Sequence, residues 1–189
     1  KLVKSLLNYG AAAQTLFDYH TDELANKNLL PEDKVISDVN FSQYAHSLNQ
    51  NNNENGIKWY GSSLVLESDT CVRDYFSLDA SSQINNYTFE LGESNATKLE
   101  PKQRVINGET YYYVEIPNIK AQNLDKSIEV NVRDQTGENI IKLKYNAFSY
   151  AYSMSKKSTT DANTKQAMKA LYQYWLDAKA YVDNKNKNV

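Results

Sequence analysis

Asp161–Asn184, DANTKQAMKALYQYWLDAKAYVDN, has the spacing of an amphipathic helix. Met168, Leu171, Trp175, Ala178 and Val182 recur every three or four residues and so share one face. Tyr174 and Tyr181 widen that stripe. Lys165, Lys169, Asp177 and Lys179 fall away from it and suit a solvated surface. Asp161 stands where a side-chain oxygen can cap the first free amides of the helix, and no proline interrupts the run.

The other end of the chain carries a related pattern, KLVKSLLNYGAAAQTLFDY. Displacing one segment by roughly 165 positions, as in a repeat search, sets Lys4 on Lys169, Leu6 on Leu171, Tyr9 on Tyr174 and Ala13 on Ala178. Val3 then matches Met168, Ser5 matches Ala170 and Leu16 matches Tyr181. The expectation is a chain that starts with the closing helix of one unit and ends with that of the next. Its opening at Lys1 in mid-helix suggests an excerpt of a larger protein.

Between the helices the period changes. A helix over about Leu2–Phe17 gives way to a Thr21-Asp22-Glu23-Leu24 turn and to Pro31, which ends the connection. Val35, Val39, Phe41 and Tyr44 suggest a strand. Asn49–Gly56, NQNNNENG, has the composition of an exposed hairpin loop. Strands are expected at Ile57–Tyr60, resuming at Ser63–Glu67, and at Cys71–Leu78 and Tyr87–Leu91, with a loop over Gly92–Lys98. Gln103–Ile106 and Tyr111–Ile116, joined at Asn107-Gly108, form the clearest hairpin, stopped by Pro117. Ser127–Arg133 and Asn139–Tyr145 make another around Gly137, and Phe148–Lys157 fits a short helix. Short strands with frequent turn signals and no βαβ alternation predict an α+β fold. Its core is an antiparallel β-sandwich of about eight strands, with long helices at the N- and C-termini packed together against it. On this basis 1–30 is an N-terminal helical segment, 31–146 the sandwich and 147–189 a C-terminal helical segment of the same domain.

Composition narrows the function classes. The net charge of −2 over 189 residues leaves no basic footprint and argues against a nucleic-acid partner. No apolar run approaches bilayer length. A single cysteine, Cys71, cannot form an internal disulfide, and its apolar strand context fits a buried inert thiol. His20 and His46 stand in different elements without metal-binding spacing. Glu67, Asp69, Asp74 and Asp79 could offer oxygens to Ca²⁺ but lack an EF-hand spacing, so no cofactor is expected. With only six glycines there is no phosphate-binding loop. Among the many carboxylates, Glu90 and Glu93 included, no pairing across a sugar is visible from sequence, and no enzyme is expected.

The fifteen tyrosines are the most informative feature. Trp59-Tyr60, Tyr75-Phe76 and Tyr111-Tyr112-Tyr113 put neighbouring rings on opposite faces of strands, so one ring can enter the core while the next faces out. An outward ring with polar neighbours suits stacking on a pyranose. The candidate ligand-binding residues are Trp59, Tyr60, Tyr75, Tyr111 and Tyr113, with Arg73, Asp74, Asn53 and Asn55 as hydrogen-bond partners. The alternative is that the terminal helices cover these aromatics. Trp175 is expected in the core.

The run Leu6–Gln14, LLNYGAAAQ, followed by Phe17, Tyr19, Thr21-Asp22 and Leu24-Ala25-Asn26, resembles a repeated module of large secreted or surface proteins of gut and rumen clostridia. Ser63–Glu67, Ile116–Ile119, Ser149–Tyr152 and Ala170–Tyr172 share the likeness, which extends over nearly the whole chain. That resemblance implies an extracellular or cell-surface location in a multidomain bacterial protein, beside glycan-degrading or adhesive modules and sometimes in cellulosome-like assemblies. It brings no catalytic motif. The combined expectation is a non-catalytic carbohydrate-binding module for a plant polysaccharide or cell-surface glycan, with neighbouring modules of the same polypeptide as partners. The competing expectation is a structural spacer or a protein-interaction or adhesin module.

Overall fold

The computed structural model describes residues 1–50, 56–66, 70–92 and 97–187. Two compact units emerge, one of His46–Ile119 with Lys126–Tyr150, the other of Lys1–Ala45, Lys120–Asp125 and Ala151 onward. The fold is α+β. Residues 31–45 therefore belong with the helices, not with the strands as the sequence pattern suggests.

In the first unit nine strands form two antiparallel sheets among the described residues. They are β1 (Ser47–Gln50), β2 (Ile57–Leu66), β3 (Thr70–Leu78), β4 (Thr88–Leu91), β5 (Thr97–Leu99), β6 (Lys102–Ile106), β7 (Glu109–Ile116), β8 (Ile128–Arg133) and β9 (Asn139–Tyr145). One sheet has the order β1-β9-β8-β4-β5, the other β2-β3-β7-β6. Ile57, Phe76, Val114 and Ile116 from the four-stranded sheet meet Phe89, Val130, Val132, Ile140 and Ile141 from the five-stranded one. The rings of Phe76 and Phe89 touch across the sandwich with centroids 5.1 Å apart. Burying a side chain of this size contributes about 2–3 kcal/mol. Period-two alternation then turns Glu90, Glu129, Asn131 and Arg133 to the outer face of the larger sheet, where Glu90 pairs with Arg133 and Glu129 with Lys142 and Lys144.

The hairpin of β6 and β7 turns at Asn107 (φ 51) and Gly108 (φ 84), two left-handed residues in the two-residue turn that Asn-Gly favours. Three expectations are revised. Asn49 and Gln50 lie in β1, which pairs with β9, whereas β2 pairs with β3, so NQNNNENG does not close a hairpin; residues 51–55 lie outside the described part. The strand expected at Val35–Tyr44 is absent: 3-10 turns occupy Pro31–Lys34 and Ser42–Tyr44, and Asn40 Oδ1 accepts the Ser42 amide to bend the chain. β5 arises where a loop was expected, because Leu99 pairs beside Phe89.

In the second unit α1 (Leu2–Phe17) packs on α3 (Ala162–Lys187); α2 (Ala147–Lys156) begins in the first unit, through Tyr150, and continues into the second. Asp161 caps α3 through the Thr164 amide at 2.8 Å. Met168, Leu171, Trp175 and Ala178 are buried as the periodicity predicts. Tyr172 packs against Phe41, and Trp175 donates to Asp125 at 3.2 Å. The Tyr9 and Tyr174 rings stack in parallel, 5.8 Å apart and 2° from coplanar. Gln14 holds the turn after α1, donating to the carbonyls of His20 and Glu23 and accepting from the Ala25 amide.

Asp74 is the exception in the sandwich core. It projects inward from β3 between Val72 and Phe76, opposite Ser62 on β2 and Val114 on β7, and is fully buried. The Ser62 hydroxyl donates to Asp74 Oδ1 and accepts from Trp59 Nε1–H at 3.2 Å. Oδ2 has no hydrogen-bond partner among the described residues. Burial pushes this carboxyl up to about 7, against a smaller opposing effect of the Ser62 hydrogen bond. The folded state thus keeps a proton that the unfolded chain releases near pH 4. The stability linked to Asp74 is full below about pH 4, declines as pH rises and is lost above about pH 7. Asp74→Asn, neutral at every pH, should therefore be more stable than the parent at pH 8, by a margin on the order of a few kcal/mol that shrinks towards pH 5. Urea unfolding at both pH values measures this, and a pH-independent difference would show that Asp74 ionises normally.

Candidate functional site

The outer face of the β2-β3-β7-β6 sheet carries aromatic rings where the outer face of the other sheet carries ion pairs. Inward pointing of Val72, Asp74 and Phe76 on β3 requires Arg73, Tyr75 and Ser77 to point outward. On β7 the inward Tyr112, Val114 and Ile116 leave Tyr111, Tyr113 and Glu115 outside, with Tyr113 opposite Tyr75. The two-residue turn fixes the register of β6, setting Lys102 opposite Tyr113 and Arg104 opposite Tyr111.

β2 reaches this face through a bulge. Trp59 pairs with Phe76 and Gly61 with Tyr75, so Tyr60 is the extra residue. The insertion keeps Trp59 and Ser62 on the inner side while Tyr60 extends across the outside. The Tyr60 and Tyr111 rings lie 4.2 Å apart, centroid to centroid, and those of Tyr75 and Tyr113 5.3 Å apart. Five of the sequence candidates, Tyr60, Arg73, Tyr75, Tyr111 and Tyr113, therefore share one face.

Within the array the rings differ in access. Tyr60 is 57% exposed and Tyr113 half-buried, whereas Tyr75 and Tyr111 are each only 6% exposed. Arg73 lies 5.3 Å from the Tyr113 ring centre and donates from Nε to Glu115 Oε2 at 2.6 Å. That hydrogen bond holds the Glu115 carboxyl below its ordinary range and raises the Arg73 guanidinium further. Lys102 reaches Glu115 at 3.4 Å. The Tyr111 hydroxyl donates to Glu109 Oε2 at 2.7 Å, and this bond to a carboxylate pushes the phenol above its ordinary value. Arg104 Nη1 donates to the Tyr75 hydroxyl at 3.1 Å.

The remaining candidates do not join this array. Trp59 packs against the sandwich core, since the bulge follows it and leaves its inward direction unchanged. Asp74 faces inward by the alternation that turns Tyr75 outward, and so cannot reach a ligand on the outer face. Asn53 and Asn55 lie outside the described residues, as do Glu67, Asp69 and Glu93 of the acidic groups. The sequence pattern did not single out Arg104, Lys102 or Glu115. Their signal was the alternation Lys102-x-Arg104 facing Tyr111-x-Tyr113 across a two-residue turn, which sets the register without further information.

Other potential sites show less. Among the described residues no three His, Cys, Asp or Glu side chains are placed to hold a metal ion. Cys71 is buried. The His46 ring lies 4.8 Å from Trp59, and burial lowers its pKa. A hollow of about 280 Å³ lies among Asp79, Ser82, Asn86, Tyr87, Asp134 and Gln135. There Asp134 Oδ1 already accepts the Thr136 and Glu138 amides and the Thr136 hydroxyl. No described helix is long and apolar enough to cross a membrane.

The tyrosine face can offer a ligand one open ring backed by a second, a half-open ring beside a guanidinium, and hydroxyl and charged groups around them. That combination provides apolar contact with hydrogen bonding at its edge. No protein-family model, no curated protein and no solved structure matches the chain.

Proposed function

We propose that this module binds a glycan on the outer face of the four-stranded sheet, by ring stacking and hydrogen bonding and without turnover. The observation that carries this reading is the Tyr60–Tyr111 pair, an exposed ring set 4.2 Å from a second ring on a face that also bears the hydrogen-bonding side chains of Arg73, Arg104, Glu109 and Glu115. A tyrosine supplies a large contact area at small entropic cost, since few torsions must be frozen. On the same face the Arg73–Glu115 ion pair already holds the guanidinium beside the Tyr113 ring, so ordering Arg73 on binding costs little more. The reading extends to a plant polysaccharide or surface glycan as ligand. It also extends to an extracellular setting, in a multidomain secreted or surface protein, with adjacent modules as the remaining partners.

A second reading has its own support. Tyr75 and Tyr111 are covered by their neighbours rather than open, which also fits a structural spacer or protein-interaction module whose tyrosines stiffen a sheet face. Cross-strand aromatic pairs alone stabilise a sheet by about 0.2–1 kcal/mol each.

Affinity gels and a glycan array with cellulose, xylan, mannan, β-glucan, starch and pectin separate the two. Tyr60→Ala should weaken retention on the bound polymer at least about tenfold while altering stability by less than about 1 kcal/mol, because the ring is largely exposed. Trp59→Ala should cost about 2–4 kcal/mol in urea unfolding, because its ring packs against the core. Folded protein that no polymer retards supports the spacer, and retention unchanged in Tyr60→Ala removes this face from the binding account.

A further inference from the structure

We propose that the ligand of this face is an acidic glycan, a chain bearing uronate carboxylates, and that Arg104 is the group that receives a carboxylate. This inference rests on the glycan-binding reading above and specifies the chemistry of the same site.

The argument is one of local charge. By register the described residues of the outer face carry Lys58, Arg73, Lys102 and Arg104 against two carboxylates, Glu109 and Glu115. This described part is thus positive on a chain whose net charge is −2. Both carboxylates are engaged within the face. Glu115 accepts from Arg73 at 2.6 Å and from Lys102 at 3.4 Å, and Glu109 accepts from the Tyr111 hydroxyl at 2.7 Å. Arg104 and Lys58 have no carboxylate partner among the described residues. Among the described residues the uncompensated charge therefore centres on β6 and the start of β2, and it faces outward.

Arg104 also has the position the chemistry needs. It stands directly opposite Tyr111, the ring that backs the exposed Tyr60. The Tyr75 hydroxyl is its one hydrogen-bond partner among the described residues, at 3.1 Å from Nη1. A guanidinium has five N–H donors in a rigid fork. One contact to a phenol orients the group and leaves donors free for a bidentate bond to a planar carboxylate. A hexuronate presents an apolar ring face for Tyr60 and a carboxylate at the ring edge, and so answers both features together. A neutral hexose answers only the first.

The test measures retention of the folded full chain on polygalacturonate, on the same polymer fully methyl-esterified, on a neutral β-glucan and on poly-glutamate. Parent, Arg104→Gln, Arg104→Lys and Tyr60→Ala proteins are compared at low and at about 0.5 M NaCl. The expected result is binding to polygalacturonate that falls at least about tenfold on esterification, in Arg104→Gln and in Tyr60→Ala, with partial recovery in Arg104→Lys. Binding should also weaken with salt and should be stronger to polygalacturonate than to poly-glutamate. Equal, Tyr60-dependent binding to the free and esterified polymers, or preference for the β-glucan, would overturn the acidic ligand and leave the glycan-binding reading standing. Equal binding to poly-glutamate would show charge recognition without sugar, and no binding to any sugar polymer would remove both.

Discussion

The contact between Phe76 and Phe89 is where the two sheets of the sandwich meet, and the outer face of the smaller sheet depends on it. Once Phe76 points inward, strand geometry leaves no choice for its neighbours. Val72 and Asp74 must follow it in, and Arg73 and Tyr75 must go out. Tyr75 then sets Tyr113 beside it through the β3–β7 register, and Tyr113 sets Lys102 and Arg104 through the hairpin. A shift of one residue in β3 would turn Phe76 to the outer face and drive Tyr75 and the charged Arg73 between the sheets, which is why the register is strongly specified.

Two local departures from regularity shape the face. The bulge at Tyr60 adds one residue to β2, so that Trp59 and Ser62 both stay inside and an additional ring is placed outside. The same alternation that creates the tyrosine face carries Asp74 into the core. Its cost is moderated by the Trp59–Ser62–Asp74 hydrogen-bond chain and by protonation of the carboxyl. The binding side and the buried acid are thus two consequences of one strand.

The helical unit gives the internal resemblance between the chain ends a physical counterpart. Tyr9 and Tyr174, which coincide when the ends are superposed by sequence, stack on one another. The matched pair Lys4 and Lys169 each reach an aspartate of the same connecting segment, Asp33 and Asp38. The match is incomplete in burial. Val3 and Leu6 are exposed on α1, whereas their counterparts Met168 and Leu171 are buried on α3. α1 is instead tied to its own following turn by Gln14 and Asn8, and Gly10 leaves room there for Ala25.

Periodicity alone determined α1, α3 and its Asp161 cap, the β6–β7 and β8–β9 hairpins, and the antiparallel α+β class, because these follow from contacts between residues near in sequence. The presence of tyrosines on both sides of strands was equally legible, and five of the candidates do share a face. Tertiary structure decided which ring of each pair turned outward, since that depends on the sheet partner of Phe76 and on a bulge whose sequence cue, Gly61 inside the β2 run, does not say which ring it sends out. It also decided that Val35–Tyr44 would not be a strand, because Val39 and Phe41 find their partners among helices rather than beside another strand. Trp59 and Asp74 moved from the ligand face to the interior for the same reason: local sequence sets the alternation of a strand, and only its packing against a second sheet sets the phase.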